Sequence, residues 1–175
     1  MMWNTNKLLA CAAAWVLGLG AAGLVAAENS REIGSFGKWI ALTFEDDGKP
    51  GCYVIAEPDG KEGKYASRGK VYALVTHRPA DKELDVVTVI AGYTFKDEST
   101  VTLQIGVQTF ELVTAEGMAW ADDEDDPKIV EAMKKGEDMV IKGVSSRGTE
   151  TTDSYSLSGF TKAYNAIGKA CDVGN

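Results

Sequence analysis

The chain has 175 residues, a formal net charge of −8 and three cysteines. A surface this acidic repels nucleic acid and anionic lipid at neutral pH, and no basic cluster interrupts it, because the cations of 61–70 are spaced by Glu62 and several glycines. Composition therefore argues against a DNA, RNA or anionic-membrane partner.

The first residues read as an address. Lys7 supplies a short positive region, residues 8–25 form an apolar run without charge, and Val25-Ala26-Ala27 fits a small-residue cleavage site. The pattern predicts a secretory signal peptide over 1–27 and a mature chain starting near Glu28, without stable membrane insertion after cleavage. A retained anchor is the rival, since the run is about long enough to span a bilayer. Its Ala and Gly content and the cleavage site behind it favour removal. A lipoprotein reading of Cys11 fails, because only Leu8-Leu9-Ala10 of the apolar run precedes it. The compartment expected is periplasmic or secreted.

Residues 28–38 are small and polar and read as a loose lead-in segment. From 39 to 173, short apolar stretches alternate with turn chemistry, the pattern of a single β-rich domain. The spacing predicts strands over 39–44, 52–57, 69–76, 86–91, 100–105, 108–114, 118–121, 139–144 and 151–157. Asp46-Asp47-Gly48, Pro58-Asp59-Gly60, Pro79-Ala80-Asp81 and Lys96-Asp97-Glu98 punctuate the first of these.

One hairpin is specified in register. A two-residue turn at Gly106-Val107 pairs Ile105 with Gln108, Leu103 with Phe110 and Val101 with Leu112. The apolar residues then share one face, and Thr102, Gln104, Thr109 and Glu111 share the other. A first helix is expected to start at an Asp126 cap with Pro127 behind it and to stop at Gly136. A second starts at a Ser158 cap; Phe160, Ala163, Tyr164, Ile167 and Cys171 form an amphipathic stripe that lays it on the sheet.

Cys11 leaves with the leader, so Cys52 and Cys171 remain as an even pair in an oxidising compartment. The natural reading is one disulfide from an early strand to the last helix; two buried thiols are the alternative. The bridge closes a loop of about 120 residues, worth about 4–5 kcal/mol in the chain-entropy picture.

Residues able to carry chemistry are few. His77 stands alone at a strand end, where it can act as a general base oriented by Asp81 or Asp85. No serine or mature cysteine sits in a nucleophile setting beside it, and a strand-end histidine satisfied by backbone is the plainer reading. One histidine and two paired cysteines argue against a zinc site. The acidic run Asp122 to Asp126 lacks the alternation and glycine of a calcium loop, and it complements a helix N-terminus. Arg78 adjoins His77, while Arg147 and Thr149 occupy a polar turn where a guanidinium among hydroxyls can clamp an anion or hold the turn together. Hence the candidate contacts are His77, Arg78, Arg147 and Thr149, with no catalytic, cofactor or metal residues expected. The aromatics fall mostly at period-two positions suited to core packing.

Several segments taken together resemble the invasion-associated locus B family of exported bacterial proteins. They are Thr76-His77-Arg78-Pro79, Val89-Ile90-Ala91-Gly92-Tyr93-Thr94-Phe95-Lys96, Phe110-Glu111-Leu112, Ala119-Trp120, Ala132-Met133-Lys134-Lys135-Gly136, Arg147-Gly148-Thr149, Asp153-Ser154-Tyr155-Ser156-Leu157 and Gly159-Phe160. They run in the family's order across nearly all the mature chain. Thr94 departs from the pattern, standing where the family often carries proline. The resemblance implies an antiparallel β-sandwich, here of about nine strands and two short helices with the C-terminal one packed on the sheet. Periodicity alone allows a barrel equally well. The family supplies no catalytic residue set; it implies a periplasmic or secreted protein, and its name comes from host-cell invasion.

The reading that follows is an exported, non-enzymatic protein that binds another protein or an envelope component and needs no cofactor. The alternatives are a hydrolase built on His77 with a carboxylate partner, and a periplasmic small-molecule carrier.

Overall fold

The structure, a computed structural model, describes residues 30–115 and 117–173. The expected leader at 1–27 lies outside the described residues. Eleven strands appear: β1 (Arg31–Phe36), β2 (Trp39–Asp46), β3 (Lys49–Ala56), β4 (Gly60–Gly63), β5 (Tyr72–Arg78), β6 (Glu83–Ile90), β7 (Val101–Ile105), β8 (Gln108–Ala115), β9 (Met118–Trp120), β10 (Asp138–Val144) and β11 (Glu150–Ser156). Helix α1 (Asp126–Lys135) precedes β10, and α2 (Phe160–Ala170) follows β11.

The class is mainly β and antiparallel, as expected, with more strands than the periodicity revealed. They form one hydrogen-bonded series, β1-β2-β3-β5-β6-β9-β8-β7-β10-β11-β4, instead of two separate sheets. Strand β8 joins its halves: Gln108 to Leu112 pair with β7, and Val113 to Ala115 pair with β9. Inner residues of both halves meet in one core, with Val54, Val75 and Val89 from one and Leu103, Ile141 and Tyr155 from the other. Trp39 of β2 also donates from Nε1 to the Ser156 carbonyl of β11 at 3.0 Å, tying the two halves together.

The two unexpected strands are the edges of the series. Residues 31–36, read as part of a loose lead-in, pair with β2 as β1. Strand β4 is Gly-Lys-Glu-Gly, which has no apolar face to detect. Edge strands tolerate such polar, irregular sequences because only one side is hydrogen-bonded. The β7–β8 hairpin has the expected register, with Val101, Leu103, Ile105 and Leu112 buried.

Both helix starts differ from expectation. Asp125 occupies the cap position of α1 without a side-chain cap bond. The Asp126 carboxylate turns inward instead and accepts a hydrogen bond from the Val87 backbone N–H of β6 at 2.8 Å. Gly159 takes the cap position of α2, in place of Ser158, at φ +92°. A Cβ at Gly159 would collide with the Phe36 carbonyl, so only glycine lets the β1–β2 turn lean against the start of α2. Phe160, Ala163 and Ile167 bury the apolar stripe of α2 against β1, β2 and β3. Cys52 of β3 and Cys171, just beyond α2, form a disulfide across 119 residues with an S–S distance of 2.04 Å.

Candidate functional site

The four candidate residues divide between three places. Along β5 the side chains alternate, so His77 points into the core and Arg78 away from it. His77 is fully buried, opposite Cys52 on β3. Its Nδ1 accepts the Asp85 backbone N–H at 3.1 Å, which leaves the ring proton on Nε2. Tyr164 of α2 meets the imidazole edge-on, with ring centroids 5.4 Å apart, and donates to Asp85 Oδ1 at 2.6 Å.

Burial pushes the His77 pKa down against the opposing pull of Asp85, and Lys134 lowers it further. The imidazole is therefore neutral, and its basic nitrogen is already occupied. A general base needs a free lone pair within reach of substrate, so this arrangement has structural character. Asp85 meets the ring through its backbone N–H, with its carboxylate 3.9 Å away. Asp81 instead pairs with Lys49 Nζ at 2.5 Å. Arg78 is half-exposed, lies 5.7 Å over the Phe44 ring and pairs with Glu83 at 3.3 Å.

Arg147 and Thr149 line a cleft of about 580 Å³ formed where the β4–β5 connection, the residues after β6 and the β10–β11 turn meet. Its floor depends on two backbones in contact: the Gly69 N–H donates to the Gly92 carbonyl at 2.9 Å, and a Cβ at Gly92, where φ is +72°, would strike Gly69. The turn carrying Arg147 is fixed from within. Ser145 Oγ accepts the Thr149 N–H at 3.1 Å, and Ser146 N–H donates to the Thr94 carbonyl at 2.8 Å.

Beneath the cleft lies an ion pair that the sequence reading missed. Arg68 grips Asp153 with both guanidinium ends, Nη1 to Oδ1 at 2.7 Å and Nη2 to Oδ2 at 2.6 Å, while Nε donates to the Ala91 carbonyl at 2.7 Å. Both side chains are almost wholly buried, at 4% and 3% exposure. Burial works against the Arg68 charge, but the Asp153 carboxylate outweighs it and holds the pKa above its ordinary value. The guanidinium also lies 4.9 Å over the Tyr93 ring and 5.6 Å over that of Tyr65. Tyr93 is fixed in turn by a 2.6 Å hydrogen bond between its hydroxyl and Thr151 Oγ1. One signal was available: Asp153 falls at a core-facing position of β11 between Thr151 and Tyr155, where a carboxylate requires a cation.

Lys64, Arg68 and Arg147 line this cleft, and among the described residues no carboxylate does. With Arg68 neutralised by Asp153, Lys64 and Arg147 remain as cations without an ion-pair partner among the described residues. The acidic run shows a different arrangement. Asp122 to Asp125 flank an open surface depression, while Asp126 is buried with its pKa pushed up to about 6 by burial. Among the described residues, no group of three or more His, Cys, Asp or Glu side chains is placed to hold a metal.

Fold and site together define an antiparallel β domain, with a disulfide holding its last helix and a cationic cleft open to solvent. The chain belongs to the invasion associated locus B (IalB) family, whose sequence model matches residues 39–168. A solved structure of invasion associated protein B from Bartonella henselae shares the fold, with a TM-score of 0.55 and 19% identity. That match covers 79% of this chain and 96% of the Bartonella chain. No curated protein matches this chain. Among the described residues, no helix is long and apolar enough to cross a membrane.

Proposed function

We propose that this protein is exported to the periplasm or beyond and acts there without catalysis, by binding a protein or envelope component through the Arg147 cleft, in an invasion-associated role. The observation carrying the binding reading is the cleft itself: a recess of about 580 Å³ holding two cations with no ion-pair partner among the described residues, on a chain of net charge −8. A volume of about 580 Å³ lies within the range of small-ligand sites. Support for export comes from the apolar leader with its Val25-Ala26-Ala27 site and from the Cys52–Cys171 disulfide. Support for a non-enzymatic role comes from His77, whose ring is buried and held by backbone. The invasion association rests on the family.

Capture from envelope extracts tests the binding role. Oxidised wild-type protein is expected to enrich a component that a Lys64→Glu/Arg147→Glu variant loses. Equal enrichment by both proteins, or none by either, would remove the cleft from the function.

A further inference from the structure

The cleft's donors and their geometry narrow the chemistry of its ligand. The backbone N–H groups of Gly69, Ser146, Gly148 and Thr149 are all engaged internally, with the Gly92, Thr94 and Ser145 carbonyls and Ser145 Oγ. No nest of free backbone donors built from these residues faces the recess, and such nests are the usual seat of a bound phosphate. The charges and hydroxyls that line the recess come from side chains. Arg147 supplies a planar fork suited to two carboxylate oxygens, and Lys64 a second positive charge. Ser67, Thr94, Ser146 and Thr149 add hydroxyls, which match the alternating donors and acceptors of a polyol.

The wall behind them is held rigid before any ligand arrives. Arg68 is committed on three sides, to Asp153, to the Ala91 carbonyl and to the face of Tyr93. A buried ion pair of this kind seldom stabilises a fold more than apolar side chains of equal volume. Its effect here is to fix the Tyr65 and Tyr93 rings and the β4–β5 connection that bears Lys64. The recess also opens to solvent past Lys64, Ala66, Ser67 and Arg147, all of them exposed, so it suits a stretch of a longer chain.

From these features we infer that the cleft binds an acidic saccharide, a chain of sugars bearing carboxylate groups, with the carboxylate on Arg147 and Lys64 and the sugar hydroxyls on the Ser and Thr wall. This rests on the binding role proposed above and names its ligand class.

The test is calorimetric titration of the oxidised protein with a uronic-acid trisaccharide, its carboxyl-reduced neutral counterpart and inorganic phosphate. Binding is expected for the acidic trisaccharide alone, weakening with added salt. Arg147→Ala should weaken it about 10- to 100-fold, the range for loss of a charge-assisted contact. Lys128→Ala, on the exposed face of α1, should leave it unchanged. Equal binding of the neutral sugar, binding of phosphate alone, or an undiminished affinity in Arg147→Ala would each overturn the assignment. No binding of the acidic trisaccharide would overturn it too. If envelope capture still depended on Lys64 and Arg147 in that case, the ligand class would fall and the binding role would stand.

Discussion

Replacing Asp126 with asparagine isolates the cost of one buried carboxylate. The side chain is 4% exposed, accepts the Val87 N–H, and has its pKa pushed from 3.8 up to about 6, chiefly by burial. Because the folded pKa is the higher one, the native state holds this proton more tightly than the unfolded chain. The stability so contributed is fully present below pH 3.8 and is lost as pH rises through about 6. At about 1.4 kcal/mol per pH unit the whole shift is worth about 3 kcal/mol, of which about 2 kcal/mol is lost between pH 4 and pH 8, because the unfolded carboxyl is already more than half ionised at pH 4. Asparagine keeps an oxygen to accept the Val87 N–H and never ionises. The variant's stability relative to wild type should therefore rise by about 2 kcal/mol between pH 4 and pH 8. His77, whose pKa burial lowers, weakens both proteins alike as pH falls below 6.5 and so leaves the difference intact. Urea unfolding of the oxidised proteins across this range measures it. Parallel pH profiles for the two proteins would refute the reasoning.

Other outcomes follow from particular contacts. Arg68→Met strands the Asp153 carboxylate and should cost about 3–5 kcal/mol, whereas adding Asp153→Leu should recover much of that; urea midpoints that fall further in the double variant would contradict the pairing. Cys52→Ser opens the bridge across 119 residues and should lower stability by up to about 4–5 kcal/mol, read as earlier urea unfolding and faster proteolysis. Equal midpoints for oxidised and reduced protein would show that the bond does not contribute. Gly159→Ala places a Cβ against the Phe36 carbonyl at a positive φ and should cost more than the ~1 kcal/mol of a left-handed residue alone, checked by thermal unfolding.

Much of the fold was legible because period-two alternation marks a strand with one buried face. The β7–β8 hairpin was specified to the residue pair, since Gly106 fixes the turn and a one-residue slip would expose Leu103 and Leu112. Strand β4 escaped notice because it is a polar edge, and β1 because a register shift between Glu32 and Gly34 breaks its alternation, although Phe36 packs on the core. Asp126 read as a cap because Asp-Pro usually opens a helix, but the Val87 N–H of β6 claims its carboxylate, a long-range partner invisible to local spacing. The site was half legible. Arg147 and Thr149 share a cleft, whereas His77 and Arg78, adjacent in sequence, face opposite ways. Arg68 could not be placed from its own neighbourhood, because its partner Asp153 lies 85 residues away and its charge looked like one of several scattered cations.

Site-specific photo-crosslinking in expressing cells tests the cleft's role most directly, with a crosslinking residue in place of Ala66, an exposed residue lining the cleft, compared with one at position 107. Val107 is fully exposed at the tip of the β7–β8 hairpin, and Ile105 beside it pairs with Met139, at the other end of β10 from the cleft. The account predicts a discrete envelope adduct from position 66 and none from 107. Adducts from both positions alike, or from 107 alone, would contradict it.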